Sequence, residues 1–179
     1  MELSCAAMNH AYAQVQQMKT MLLAVDNWLK KAEAHAETVK FPADNFAHFR
    51  LAPDAYHLIR QVQAACDSAK LGAYRLAGKE APSHADEEKT FPELHARIAK
   101  AIASIDALNE KDFEGAESRT VVLPFLKSEK KGMKAYDYLV QFALPNFYFH
   151  VNATYQIFRH NGVQLGKMDY MSKLDLIAV

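Results

Sequence analysis

The residues best able to do chemistry in this chain lie in one stretch, YDYLVQFALPNFYFHVNATYQIFRHNGVQLG, from Tyr136 to Gly166. It has the pattern of one long apolar helix. A stripe drawn from Leu139 passes through Ala143, Asn146, His150, Ala153 and Ile157. An amide and an imidazole on an inward stripe cost free energy unless they find partners or serve a purpose. They stand one helical turn apart and share a face. His150 is the only titratable group at the middle of that stripe and the best candidate for a catalytic group. It suits a metal ligand, a general base or a partner for a polar ligand. The plainer alternative is a neutral core histidine hydrogen-bonded to Asn146 or Gln61.

A second helical segment supplies the facing residues. With Leu58 and Ala65 pointing inward, Gln61 lies about 60° from that direction at ~100° per residue. His57 and Ser68 share its flank, whereas Gln63 and Asp67 point well away from the core. The candidate ligand-binding set is therefore Gln61, Asn146, His150 and His57. Two histidines four apart on a helix would signal a metal, but four before His150 is Asn146 and four after it is Thr154. His160 and His35 suit the negative ends of their helices. His10, His48, His84 and His95 show no ligand partner. No GxSxG elbow, phosphate-cradling glycine loop or dinucleotide fingerprint occurs. Cys66 reads as a buried, inert thiol.

Four long helical patterns must position these groups. The first, Ser4 to Val39, carries Met8, Val15, Leu22, Leu29 and Ala36 at seven-residue spacing. A linker with Phe41, Phe46 and Phe49 is suited to a short turn closing one end of the core. The second helix is expected to start near Pro53 and Asp54 and to stop at Gly78. The loop KEAPSHADEEK follows, its acidic run read as solvated. Thr90 and Glu93 form a capping-box pattern ahead of the third helix, with its stripe of Leu94, Ile98, Ala101, Ile105 and Leu108. Thr120 to Leu126, with Ser128 to Met133, forms either a small hairpin or an extended strap, Pro124 limiting it to an edge. Pro145 inside the last pattern calls for a bend or a break, since its ring crowds the carbonyl of Gln141. Asn161-Gly162 ends that helix. The tail, about 163–179, carries Leu174, Leu176 and Ile177, suited to docking on the bundle or a neighbouring subunit.

Composition narrows the classes. The 179 residues fit one domain, 1–179, half of them hydrophobic. Lys plus Arg equals Asp plus Glu at 21 each, so no global field draws nucleic acid or anionic membrane. The two cysteines lack zinc spacing and a disulfide framework, and neither a signal peptide nor a membrane-length apolar run is evident. The expectation is a cytoplasmic protein with no nucleic-acid or membrane partner.

Two segments, LAPDAYHLIRQVQAACDSAKLGAYRLAG and FALPNFYFHVNATYQIFRHNGVQLGK, resemble an uncharacterised bacterial domain-of-unknown-function family in the DinB/YfiT-like superfamily, and TFPELHARIAKAIASID extends the likeness over nearly the whole chain. The resemblance implies an all-α, up-and-down four-helix bundle with a long crossover between helices two and three. It also implies a homodimer. Many members of the wider superfamily hold a divalent metal, zinc or nickel, through one histidine on helix two and an HxxxH pair on helix four; some are thiol-dependent transferases or hydrolases. Counted back from Gly162, the pair falls on Asn146 and His150, and the helix-two ligand falls near Gln61 or Gln63, with Gln61 facing inward. One imidazole of three remains, so any metal would rest on His150, Asn146 and Gln61, a poor set for zinc or nickel. The leading expectation is a small-molecule pocket between helices two and four without that metal. The alternatives are a non-catalytic dimeric scaffold and a divalent-metal-dependent transferase or hydrolase.

Overall fold

Four long helices account for most of the chain. A computed structural model describes residues 9–123 and 131–177. Helix α1 spans His10–Val39, α2 Leu58–Leu76 and α3 Phe91–Asp106. A short helix α4, Ala135–Asp137, runs through a π turn, Tyr138–Ala143, into α5, Leu144–His160; α6 is a single turn, Lys167–Met171. Strands β1, Thr120–Val122, and β2, Gly132–Lys134, form an antiparallel hairpin with Val121 opposite Met133. This resolves the hairpin-or-strap alternative, while Pro124, Leu126 and Ser128 lie outside the described residues.

Capping chemistry sets the helix limits. The side-chain oxygen of Asn9 accepts from the amides of Ala11 and Tyr12, capping α1 at His10, while Ser4 and Met8 of the expected first helix lie outside the described residues. Glu93 accepts from the backbone amides of Thr90 and Lys89 at 2.9 and 2.7 Å, the back half of the expected capping box. Helix α2 begins at Leu58, not near Pro53, because His57 is its cap: the ring Nδ1 accepts from the amide of Arg60 at 3.4 Å. Pro53 lies instead in a tight turn, with the Ala55 amide on the Ala52 carbonyl and Arg50 donating to the Pro53 and Ala55 carbonyls.

The helix ends show the chain's course. Phe46, fully buried in a 3-10 turn at Ala43–His48, meets Phe41, Phe49, Phe91 and Phe158. This aromatic plug collects the end of α1, the starts of α2 and α3 and the end of α5. The helices therefore run up, down, down, up, and the crossover implied by the resemblance is what lets α2 and α3 run the same way. Helices α1 and α2 each pack against all three others. Core layers of Met18, Leu22, Trp28, Leu58, Val62, Leu94, Ile98, Phe147 and Ile157 fill the space between them.

The crossover, residues 77–90, is held down by a buried cation. Arg97 on α3 is 2% exposed and donates to the Ala85 carbonyl at 2.8 Å, to Glu88 at 3.1 Å and to Asp86 at 3.0 Å; Asp67 on α2 completes its shell at 3.0 Å. Asp67 also pairs with the buried Lys70 at 2.9 Å. Gln63, expected to point away from the core, is 4% exposed because the crossover covers it, and its amide donates to Glu88 at 2.8 Å. The acidic run is solvated as expected at Asp86, Glu87 and Lys89, and is a strap anchored through Asp86 and Glu88, the latter drawn partly in. Burying these charges is tolerable because they are mutually paired, although Arg97 Nε and Asp67 Oδ1 are buried without a hydrogen bond among the described residues.

Proline 145 neither breaks the rod nor leaves it regular. In the π turn ahead of it the Leu144 amide reaches the Leu139 carbonyl, five residues back. The wider coil relieves the clash between the proline ring and the preceding turn. After α5, Val163 and Leu165 are buried, and Trp28 donates to the Asp169 carbonyl at 3.0 Å while stacking on Tyr170, so the tail docks through α6. Leu174, Leu176 and Ile177 stay exposed. Among the described residues no helix is long and apolar enough to cross a membrane.

Replacing Arg97 with methionine leaves three carboxylates facing each other with their cation gone. A loss of about 3 kcal/mol is expected, the lower end of the range because Asp67 and Asp86 keep some solvent access. Chemical denaturation checks the loss; limited proteolysis should show new cleavage within residues 79–89. Unchanged stability and unchanged cleavage would show that the strap is held elsewhere.

Candidate functional site

The polar flank of α2 and the inner face of α5 enclose a cleft of about 260 Å³. Small residues make its middle: Ala64 and Ser68 from α2 and Ala143 from the π turn, where bulkier side chains would close it. Asn146 and His150 line the wall from α5. Tyr56 and Arg60 stand at one end, Leu71, Arg75, Tyr138 and Phe142 at the other. A second cavity, of about 100 Å³, lies at the far end of the bundle between Asn9, Leu76, Ala116 and Leu139, and is mainly apolar.

His150 is 8% exposed and held on several sides. Its Nδ1 lies 2.8 Å from Gln61 Oε1. Gln61 donates its own amide hydrogen to the Tyr56 carbonyl at 3.2 Å, which fixes the amide with its oxygen towards the histidine. That network assigns the hydrogen to Nδ1 as donor and leaves Nε2 as a lone-pair acceptor. Above, the Tyr56 ring lies parallel to the imidazole at 6.1 Å, and the Phe149 ring meets it edge-on at 5.1 Å. Burial, and then the positive charge of Arg60, hold the His150 pKa below the ordinary histidine value. The imidazole is therefore neutral near pH 7.

Asn146 is half-buried and does not touch His150 by any recorded hydrogen bond. Its Nδ2 donates to Ser68 Oγ at 2.7 Å, and Ser68 donates in turn to the Ala64 carbonyl at 2.6 Å. The serine hydroxyl is thus committed to the helix backbone, not poised as a nucleophile. Cys66, next to the cleft in sequence, is fully buried and burial pushes its thiol up to about 12, so it too is inert.

Of the four residues expected at the site, the structure brings Asn146 and His150 into the cleft wall and places Gln61 behind His150 as its orienting partner. His57 goes elsewhere. As the cap of α2 it turns towards His48, ring centroids 6.0 Å apart, in a separate surface cleft with Gln63, Asp86 and Glu88. The other ten lining residues lie outside the expected set, Arg60, Asp67, Arg75 and Tyr138 among them. The α2 members were visible in principle, since Arg60, Ala64, Asp67, Leu71 and Arg75 form a stripe at helical spacing beside the buried one. Tyr138 was hidden by the π turn, which shifts the helical phase. His95, expected without a partner, is held between Asp26 at 2.5 Å and Glu33 at 3.3 Å on the α1–α3 surface, away from the cleft. Among the described residues no group of three or more histidine, cysteine, aspartate or glutamate side chains converges as a metal site would require.

The comparisons with known proteins agree with this architecture. No curated protein matches the chain. A solved crystal structure of a DinB family member protein from Shewanella denitrificans is similar at 40% identity with a TM-score of 0.87, over 92% of this chain and 93% of that one. A family model, the domain of unknown function DUF1993, matches residues 12–171. With nine-tenths of its length aligned to a DinB family structure and its body covered by that model, the chain belongs to the DUF1993 family and is DinB-like.

Proposed function

We propose that this protein binds a small polar molecule in the cleft between α2 and α5, with neutral His150 as the acceptor and without the three-histidine metal centre of the wider superfamily. One observation carries the reading: a buried imidazole that lines a cleft of about 260 Å³, its Nδ1 spent on Gln61 and its Nε2 without a hydrogen bond among the described residues. A histidine kept only for packing would be expected to satisfy both ring nitrogens inside the core.

The residues do not fit a zinc or nickel ion. Gln61 directs its oxygen at His150 and Asn146 directs its amide at Ser68, while His57 caps α2. One imidazole nitrogen remains, against the three protein ligands that a catalytic zinc needs. Gln61 therefore does for His150 what an outer-shell carbonyl does for a ligating histidine, fixing tautomer and ring orientation. The same fixed tautomer suits a base that accepts a proton or hydrogen bond from a bound molecule.

The test is a library of small polar fragments, read through the imidazole ¹⁵N signals of His150 and the side-chain amide of Asn146. Binders should perturb both signals, and His150→Leu should abolish their binding while keeping the helical fold. Binding unaffected by that substitution, with only stability altered, would favour the dimeric scaffold instead. Elemental analysis of protein purified without an affinity tag forms the second arm: stoichiometric zinc or nickel that disappears in His150→Leu would overturn the metal-free part.

The protonation state gives an independent expectation. The folded-state pKa of His150 lies below its unfolded value of about 6.5. Between the two the unfolded chain binds more protons, so this residue's contribution to stability is intact above about pH 6.5 and falls as the pH drops towards the folded value. An imidazole ¹⁵N titration should show Nδ1 protonated and Nε2 bare at neutral pH. Arg60→Gln should move the midpoint upward without restoring it fully, since burial is the larger cause. A midpoint above 6.5 in the native protein would contradict the neutral acceptor.

A further inference from the structure

Resting on the cleft reading above, we infer that the Arg75 end of the cleft seats the carboxylate of an elongated organic acid whose polar far end reaches towards His150. The charges that line the cleft are unbalanced. Arg60 is ion-paired with Asp86 and lies over the Tyr56 ring at 5.6 Å. Asp67 is already claimed by Lys70 and Arg97. Arg75 is different. It is half-buried, donates to the phenolic oxygen of Tyr138 at 3.1 Å and lies over that ring at 5.9 Å, with no carboxylate partner among the described residues.

A guanidinium is a permanent cation with five donors in a planar fork that matches a carboxylate. Tyr138 satisfies one of those donors. The surroundings are apolar: Leu71 from α2, and Tyr138 stacked on Phe142 at 5.7 Å from the π turn. A charge held beside apolar surface interacts more strongly with an anion than one in open solvent. One uncompensated positive charge matches a monoanion better than a phosphate dianion. Shape sets the rest. Arg60 and Arg75 are roughly 22 Å apart along α2 at ~1.5 Å per residue, so the cleft is a trough rather than a cup. A ligand anchored at Arg75 extends along Leu71, Ser68 and Asn146 towards the Nε2 of His150, which would receive a hydrogen-bond donor.

The test titrates 4-(4-hydroxyphenyl)butyrate, whose phenol can donate to His150, and its uncharged amide, 4-(4-hydroxyphenyl)butyramide, into the full chain, following the Arg75 Nε–H and Asn146 amide signals. The acid should bind at least about tenfold more tightly than the amide, the scale of one charge-assisted pair. That preference should collapse to about one in Arg75→Gln and survive in part in Arg75→Lys. Equal affinities that are lost together in His150→Leu would leave the cleft as a binding site and overturn the carboxylate seat. An acid preference that persists in Arg75→Gln would overturn it as well. If neither compound perturbs cleft signals while polar fragments still do, the carboxylate seat is overturned and the cleft reading stands. Should Arg75→Gln not fold, the acid-to-amide ratio in the wild type and in Arg75→Lys still decides.

Discussion

The buried guanidinium of Arg97 is the constraint from which the rest of this molecule follows. Two helices that run in the same direction need a connection that travels back along the whole bundle, and such a connection has little apolar surface of its own to bury. Here the return strand is held by charge. One cation collects Asp86 and Glu88 from the crossover and Asp67 from α2, and the Ala85 carbonyl shares one of its terminal nitrogens with Glu88. The cost of desolvating these groups is offset only when all are present together, so the strap and the two helices are specified as a unit. The arrangement reaches the cleft as well. By engaging Asp67 and placing Asp86 beside Arg60, the cluster neutralises one wall and leaves Arg75 as the uncompensated charge.

Most of the bundle could be read from hydrophobic spacing. The stripes of Leu94–Leu108 and of Leu139–Ile157 fall on buried faces, and the Thr90–Glu93 pattern starts α3 as its chemistry requires. Local rules failed where a distant group intervened. Gln63 has the angular position of an exposed residue, yet a strap from another part of the chain covers it. The acidic run has the composition of a solvated loop and stays largely exposed, but Arg97 on the next helix, with Arg60 and Gln63 on α2, pins Asp86 and Glu88. His57 sits on the same flank as Gln61 in a helix that starts at Pro53; once the helix starts at Leu58 the ring becomes a cap and leaves the site. The pairing of His150 with Gln61 was accessible from facing geometry, because both lie near the helix–helix seam. The role of Arg75 was not, since its significance lies in a partner it does not have.

In the proposed reading the scaffold keeps a binding location and changes its chemistry. The resemblance implies imidazoles where this chain carries Asn146 and Gln61. Amides at those positions are not idle: one orients the remaining histidine and the other ties the Ser68 hydroxyl to the α5 wall. Both are hydrogen-bonded to side chains on the opposing helix, which is what buried polar groups need if they are not to destabilise a core. They also hold open the space between α2 and α5 by occupying it with directed, rather than collapsible, contacts.

The π turn at Tyr138–Ala143 has a mechanical consequence. An extra residue in one turn offsets the helical phase by about 100°. The hairpin-linked start of this rod and its imidazole-bearing half are therefore indexed separately, like two sections of a shaft joined at a keyed coupling. Changes in the hairpin can alter how the rod begins without turning His150 out of register with Gln61, and the coupling itself lines the trough through Tyr138, Phe142 and Ala143.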